Sequence, residues 1–197
     1  MRSHHRVLRS PAQAVARRAC LQALALAPLA ALPSCRDGAS GTQPPAKAIA
    51  AKQGLSSDGN PQPTGDDRCP MCAMRVIDHP DWAGAIELAS GATYYTCSVR
   101  CTLATAMRSE SFLGVPPDQI KRVRVPHYLE KGKSLDADSA WYVIDSDVRG
   151  PMGLALLPAA SEQEAQVLVR RHQGRVLSRK DVTLDVLKDL KQRSKGH

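Results

Sequence analysis

From Trp82 onward the chain writes one order of elements twice, and that order limits its possible folds more than any other feature. Residues 82–89 and 92–96, joined by Ser90-Gly91, read as a hairpin rich in aromatic and β-branched residues. Ser98 then caps a helix with Leu103, Ala106 and Met107 on one face, Gly114-Val115-Pro116-Pro117 ends it, and residues 121–126 form an alternating strand. The second copy starts with residues 140–145, loops through Gly150-Pro151-Met152-Gly153 and returns as residues 154–157. Its helix carries a capping-box pattern, Ser161 with Glu164, a stripe of Ala165, Leu168 and Val169, and Gly174 as a stop before a strand at 175–178. Thr183 caps a last amphipathic helix with Leu184, Leu187 and Leu190 facing inward. The expected fold class is α+β, two ββαβ units plus a C-terminal helix, with halves at about 67–130 and 139–197.

The segment before this region cannot join its core. Residues 1–34 hold five arginines, no acid and a mostly apolar run from 19 to 32, the layout of an export signal. That run is too short and too interrupted, by Gln22 and Pro28, for the about 20 apolar residues of a spanning helix. Leu32-Pro33-Ser34-Cys35 resembles a lipobox, with Cys35 as the lipid-modified first residue of the mature protein; plain cleavage nearby is the alternative. Arg17-Arg18 leaves Sec and twin-arginine export both open. Residues 35–66 are rich in Gly, Pro, Ser, Gln and Ala and read as a flexible linker. Residues 67–197 are the folded domain. The formal charge of +8 falls to +3 without the leading arginines, and the remaining basic residues are scattered, which argues against a nucleic-acid surface.

Cys69-Pro70-Met71-Cys72-Ala73-Met74 concentrates thiols and thioethers in six residues. Thiolate with thioether suits Cu(I), whereas Zn²⁺ is ordinarily held by Cys, His and carboxylate. Cys69 and Cys72 have three open roles: a metal pincer, a disulfide or a redox pair. The metal role is favoured, because a redox pair opens a helix after a buried strand and here a Pro-rich segment precedes it. Met152 stands at the third position of an expected type I turn and projects as a soft donor. Cys97 and Cys101 straddle the start of the first helix, whose positive end lowers thiol pKa. With Cys69 and Cys72 they give Cys-x2-Cys, 24 residues, Cys-x3-Cys, a layout for a tetrathiolate site for Zn²⁺ or another soft metal. A second disulfide or two reduced thiols stay open as well. His79, between two strands, is a candidate imidazole donor or a solvated turn residue. His172 in the last turn of a helix is explained by carbonyl and dipole contacts.

Cys72-Ala73-Met74, Gly150-Pro151-Met152-Gly153, the run from Trp141 to Asp147 and Gly174-Arg175-Val176-Leu177 together resemble the NosL family, lipid-anchored copper chaperones of nitrous oxide reductase. The resemblance spans roughly residues 67–187. It implies a periplasmic, membrane-tethered protein that binds one Cu(I) and passes it toward the copper centres of the reductase, with a membrane-bound maturation transporter as partner. Carried onto this sequence, it makes Cys72, Met74 and Met152 the copper ligands, with His79 as a fourth. Cys69, Cys97 and Cys101 are additional to the simplest family pattern and look like heavy-metal modules of the YHS and TRASH type, so they either enlarge the copper site or build a separate knuckle.

No phosphate loop, nucleophile elbow or His-Glu-x-x-His occurs, so the chain reads as a binding protein and not an enzyme. Two alternatives are a zinc or heavy-metal module with a structural or interaction role, and an organomercurial lyase-like enzyme. The second lacks an Asp placed beside a Cys pair by sequence.

Overall fold

Residues 48–194 are described by a computed structural model. Cys35, the signal segment and the first part of the linker lie outside the described residues. Among the described residues, no helix is long and apolar enough to cross a membrane.

Strands β1 (Gly84–Leu88) and β2 (Thr93–Thr96) form the first hairpin, with Ile86 opposite Tyr94. Ser98 caps helix α1 (Val99–Met107) by accepting the Cys101 amide, and after a break at Arg108 a short helix α2 (Ser109–Leu113) ends on Gly114 in the left-handed region. Strand β3 (Ile120–Pro126) then pairs with the other edge of β1, and β4 (Ser134–Asp136) extends the sheet to the order β2-β1-β3-β4. The second half contributes β5 (Trp141–Ile144), a small hairpin of β6 (Arg149–Gly150) and β7 (Gly153–Leu154), and β8 (Leu157–Ala159). Helix α3 (Glu162–His172), β9 (Arg175–Leu177) and helix α4 (Leu184–Arg193) follow. The sheet order β8-β5-β9 is antiparallel throughout. The architecture is mixed helix and antiparallel sheet, with β4, α2 and the β6–β7 hairpin beyond the expected set of elements.

Local signals place the helices. Ser161 accepts the Glu164 amide, and Thr183 accepts the Val186 amide, each satisfying a donor that the first helical turn leaves without a partner. Pro158 sits in β8, an edge strand, where its missing N–H breaks no ladder bond. Packing joins the two halves through one core. Val99, Leu103 and Val125 of the first half meet Tyr142, Ile144 and Leu156 of the second, with Leu187 and Leu190 of α4. On the opposite face of the second sheet, Val143 and Leu157 pack on Ala165 and Leu168 of α3.

Gly84 lets α1 approach β1. A Cβ there would stand 2.2 Å from Thr102 Oγ1, and Thr102 Oγ1 itself lies 2.6 Å from Thr96 Oγ1. The helix is thereby pressed onto the end of the sheet where β2 runs into Cys97.

The other face of the first sheet differs from the linker reading. The Ala51 amide donates to Thr93 O at 2.8 Å, Tyr95 Oη donates to Gly54 O at 2.7 Å, and Arg124 Nε donates to Gly59 O at 3.2 Å. Ala85, Tyr95 and Arg124 share one face by register, so residues 51–60 strap that face. Arg124 is partly buried beneath the strap. The strap's own main chain makes these bonds, through the Ala51 amide and the Gly54 and Gly59 carbonyls, and Leu55 packs against the group that contains Cys69 and Tyr95.

Candidate metal centre

The Cys69–Met74 run folds into a tight knuckle. The Cys69 amide donates to Met74 O at 2.9 Å, while the Ala73 and Cys72 amides donate to Cys69 O at 2.8 and 3.3 Å. Arg68 and Arg75 pair as an antiparallel bridge at its base. Ala73 reverses the chain with φ of 61°, a conformation that costs a residue with a Cβ about 1–2 kcal/mol. Both Cys side chains are thereby turned toward the start of α1.

There the knuckle meets the other two cysteines. Cys97 ends the sheet just before the Ser98 cap, and Cys101 lies in the first turn of α1. The four Sγ atoms of Cys69, Cys72, Cys97 and Cys101 lie within 4.8 Å of one another. Cys72 Sγ is 3.4 Å from Cys97 Sγ, and Cys97 Sγ is 3.8 Å from Cys101 Sγ. All four are free thiols; Cys69, Cys97 and Cys101 are buried and Cys72 is partly exposed.

Met74 and Met152, both partly buried, pack against the group that contains Cys69, Cys97 and Cys101, and so does Met71. Met152 therefore packs on the site, where the sequence suggests a projecting side chain. Its turn agrees with the type I reading: Met152 has no positive φ, and Gly153 supplies φ of 90° at the next position. Two contacts fix this turn. Arg100 Nη2 of α1 donates to Met152 O, and Ser194 Oγ, at the end of α4, accepts the Leu154 amide at 2.8 Å. Neither Arg100 nor Ser194 is singled out by sequence, since each acts on the backbone of a distant loop.

His79 stands outside the four-sulfur group, partly exposed between two short 3-10 turns. His172 Nδ1 lies 3.2 Å from Asp147 Oδ1, and His127 is buried with Nε2 2.8 Å from Glu164 Oε2. No carboxylate belongs to the sulfur group among the described residues. Asp67, the closest acid in sequence to Cys69, accepts from the Thr64 amide and hydroxyl.

Four thiols this close share charge unequally. Hydrogen bonds from Cys101, and then from Cys72 and Cys97, hold the Cys69 thiol far below its ordinary value. Cys72 is lowered as well, chiefly by Cys101. Cys97 is pushed up by Cys101, then by Cys69 and Cys72; Cys101 is pushed up by Cys69 and Cys72. The helix start alone draws Cys97 and Cys101 down, but the neighbouring thiols outweigh it, Cys101 first for Cys97 and Cys69 first for Cys101. A group of this kind can hold a soft cation in place of the shared protons.

The family model of NosL matches residues 61–187. This chain belongs to the NosL family. The copper-binding lipoprotein NosL of Stutzerimonas stutzeri is 29% identical over 125 residues, which is 62% of this chain and 65% of that protein. The chain thus spans about two thirds of that relative's length. The crystal structure of the copper chaperone NosL from Shewanella denitrificans superposes with a TM-score of 0.55 at 18% identity, covering 66% of this chain and 99% of that one. That likeness is one of fold. The solution structure of apo-NosL from Achromobacter cycloclastes is 28% identical, with a TM-score of 0.40 over 53% of this chain and 87% of its own.

Proposed function

We propose that this NosL chain is a periplasmic Cu(I) chaperone, tethered through Cys35, that carries copper for the maturation of nitrous oxide reductase. Cu(I) is its cargo. Cys72 supplies a thiolate, and Met74 and Met152 supply thioethers. One observation carries the reading: Cys72 is the most exposed thiol of the four, and Met74 and Met152, from opposite halves of the chain, pack on the same cluster at partial exposure. Thioether with thiolate selects Cu(I) among the metals at hand, and exposed donors permit exchange.

Transfer is ligand exchange, with no bond of an organic substrate broken. A donor of the recipient adds to the copper at the rim formed by Cys72, Met74 and Met152, and these then leave in turn. Copper-binding and chaperone names among the relatives, together with a metal-competent sulfur cluster, support this reading over an enzyme. The reductase as recipient and the maturation transporter as membrane partner rest on the family resemblance. The lipoprotein relative supports the tether.

Cu(I) competition titration of the full-length, reduced chain tests the site. Met152→Ala is expected to weaken Cu(I) binding roughly 10-fold or more and to remove one sulfur from the copper X-ray absorption shell. Unchanged affinity and an unchanged shell would mean that Met152 is no ligand. A zinc or heavy-metal module is the second reading, favoured by the four-sulfur geometry itself.

A further inference from the structure

The four thiols form a complete ligand set without either thioether. A tetrahedron of sulfurs each about 2.3 Å from a central ion has edges of about 3.8 Å. The observed separations of 3.4 and 3.8 Å, with all four sulfurs inside 4.8 Å, approach that figure with protein groups alone. They are far from the about 2.05 Å of a disulfide. The knuckle is pre-bent for the purpose, since the left-handed Ala73 and the paired Cys69 carbonyl turn two sulfurs to one side.

Charge selects the class of ion. Four thiolates around a monovalent cation leave three negative charges in a place where three of the cysteines are buried. A divalent cation leaves two. Arg100, itself buried, acts electrostatically on Cys101, Cys97 and Cys72, and its Nη1 has no hydrogen-bond partner among the described residues. It offsets one of the two. Cu(I), with its preference for few soft donors, gains little from a fourth thiolate, whereas a closed S4 shell is the ordinary structural site of zinc.

We infer that Cys69, Cys72, Cys97 and Cys101 hold one resident divalent ion of the zinc class, next to the Cu(I) site, with Cys72 bridging the two. The inference stands on sulfur geometry and charge; only the bridging role of Cys72 rests on the copper reading. The resident ion pins the knuckle to α1, so that Met74 and Cys72 keep their place while cargo comes and goes.

The test uses the full-length chain, purified reduced and anaerobically in detergent, with Co²⁺ as a spectroscopic probe. One equivalent of Co²⁺ is expected to give intense sulfur-to-metal charge-transfer bands and tetrahedral ligand-field bands, which one equivalent of Zn²⁺ abolishes. Cu(I) added next should bind with zinc retained, read by native mass spectrometry. A Cys97→Ser/Cys101→Ser variant should lose Zn²⁺ affinity by roughly 100-fold or more and bind Cu(I) more weakly as well, because the knuckle that carries Cys72 and Met74 is no longer pinned. Octahedral or sulfur-poor Co²⁺ spectra, or Cu(I) expelling zinc one for one, overturn the inference; the unsubstituted chain decides this even where the double variant fails to fold. Zinc held with no Cu(I) uptake overturns the chaperone reading and leaves the zinc site standing.

Discussion

Arg100 of α1 donates to the backbone carbonyl of Met152, so the turn that carries a thioether is tied to the helix that carries Cys101. The guanidinium thus links two regions 52 residues apart in sequence. Arg100→Gln removes a buried charge-assisted bond and is expected to cost about 1–3 kcal/mol, measured by urea unfolding of the metal-free chain. Cu(I) affinity should fall in the same variant, because Met152 loses its fixed position. Unchanged stability with unchanged copper affinity would show the bond to be incidental.

Ala73 takes up a conformation that suits glycine better. Ala73→Gly relieves about 1–2 kcal/mol of left-handed strain and pays back part of it in unfolded-state entropy. A net gain of about 0.5–1 kcal/mol is expected in denaturant midpoints, with the Co²⁺ spectrum unaltered. A loss of stability would mean that the knuckle is held differently from its hydrogen bonds.

Gly153 closes the hairpin against α4. With φ of 90°, a Cβ at this position would lie 2.4 Å from the Ser194 Cβ. Gly153→Ala is expected to destabilise the chain by about 2 kcal/mol or more and to open residues 149–154 to limited proteolysis. Ser194→Ala, which loses the bond from the Leu154 amide and the hydroxyl's own bond to Leu190 O, should cost about 1–2 kcal/mol.

Glu164 makes stability pH-dependent. Its carboxylate accepts the Ala160 amide at 2.9 Å and lies 2.8 Å from His127 Nε2; the amide first, and then His127, hold its pKa below the usual glutamate value. The ionised form therefore favours folding. This contribution is complete above the unfolded glutamate value of about 4.3 and is lost as pH falls through the lower folded value. Glu164→Gln should be less stable at neutral pH and lose less on acidification, read from urea midpoints between about pH 3 and 7. Parallel curves for the two proteins would exclude this carboxylate as a source of the acid sensitivity.

What a sequence makes visible here is what neighbours along the chain decide. Ser98, Ser161 and Thr183 are legible as caps because each bonds an amide three residues on. The strand at Ile120–Pro126 and the stop at Gly174 follow from the same local rules. Cysteine spacing allows a four-thiol site but leaves disulfides open, since the approach of α1 to β1 across Gly84, which brings Cys101 toward the knuckle, is not written in the spacing. The strap of residues 51–60 escapes a compositional reading because main-chain amides and carbonyls, which composition does not distinguish, make most of its bonds. Arg100 and Ser194 escape for a related reason: their partners are the Met152 carbonyl and the Leu154 amide, so no pair of side chains signals the contact.

Unequal exposure of the four sulfurs bears on timing. With Cys69, Cys97 and Cys101 buried and Cys72 partly open, an incoming donor has one face from which to approach. On the proposed function, copper leaves at a rate that rises with recipient concentration, while dilution alone leaves it bound. Such a carrier discharges on encounter and stays loaded in transit, which keeps free copper out of the surrounding fluid.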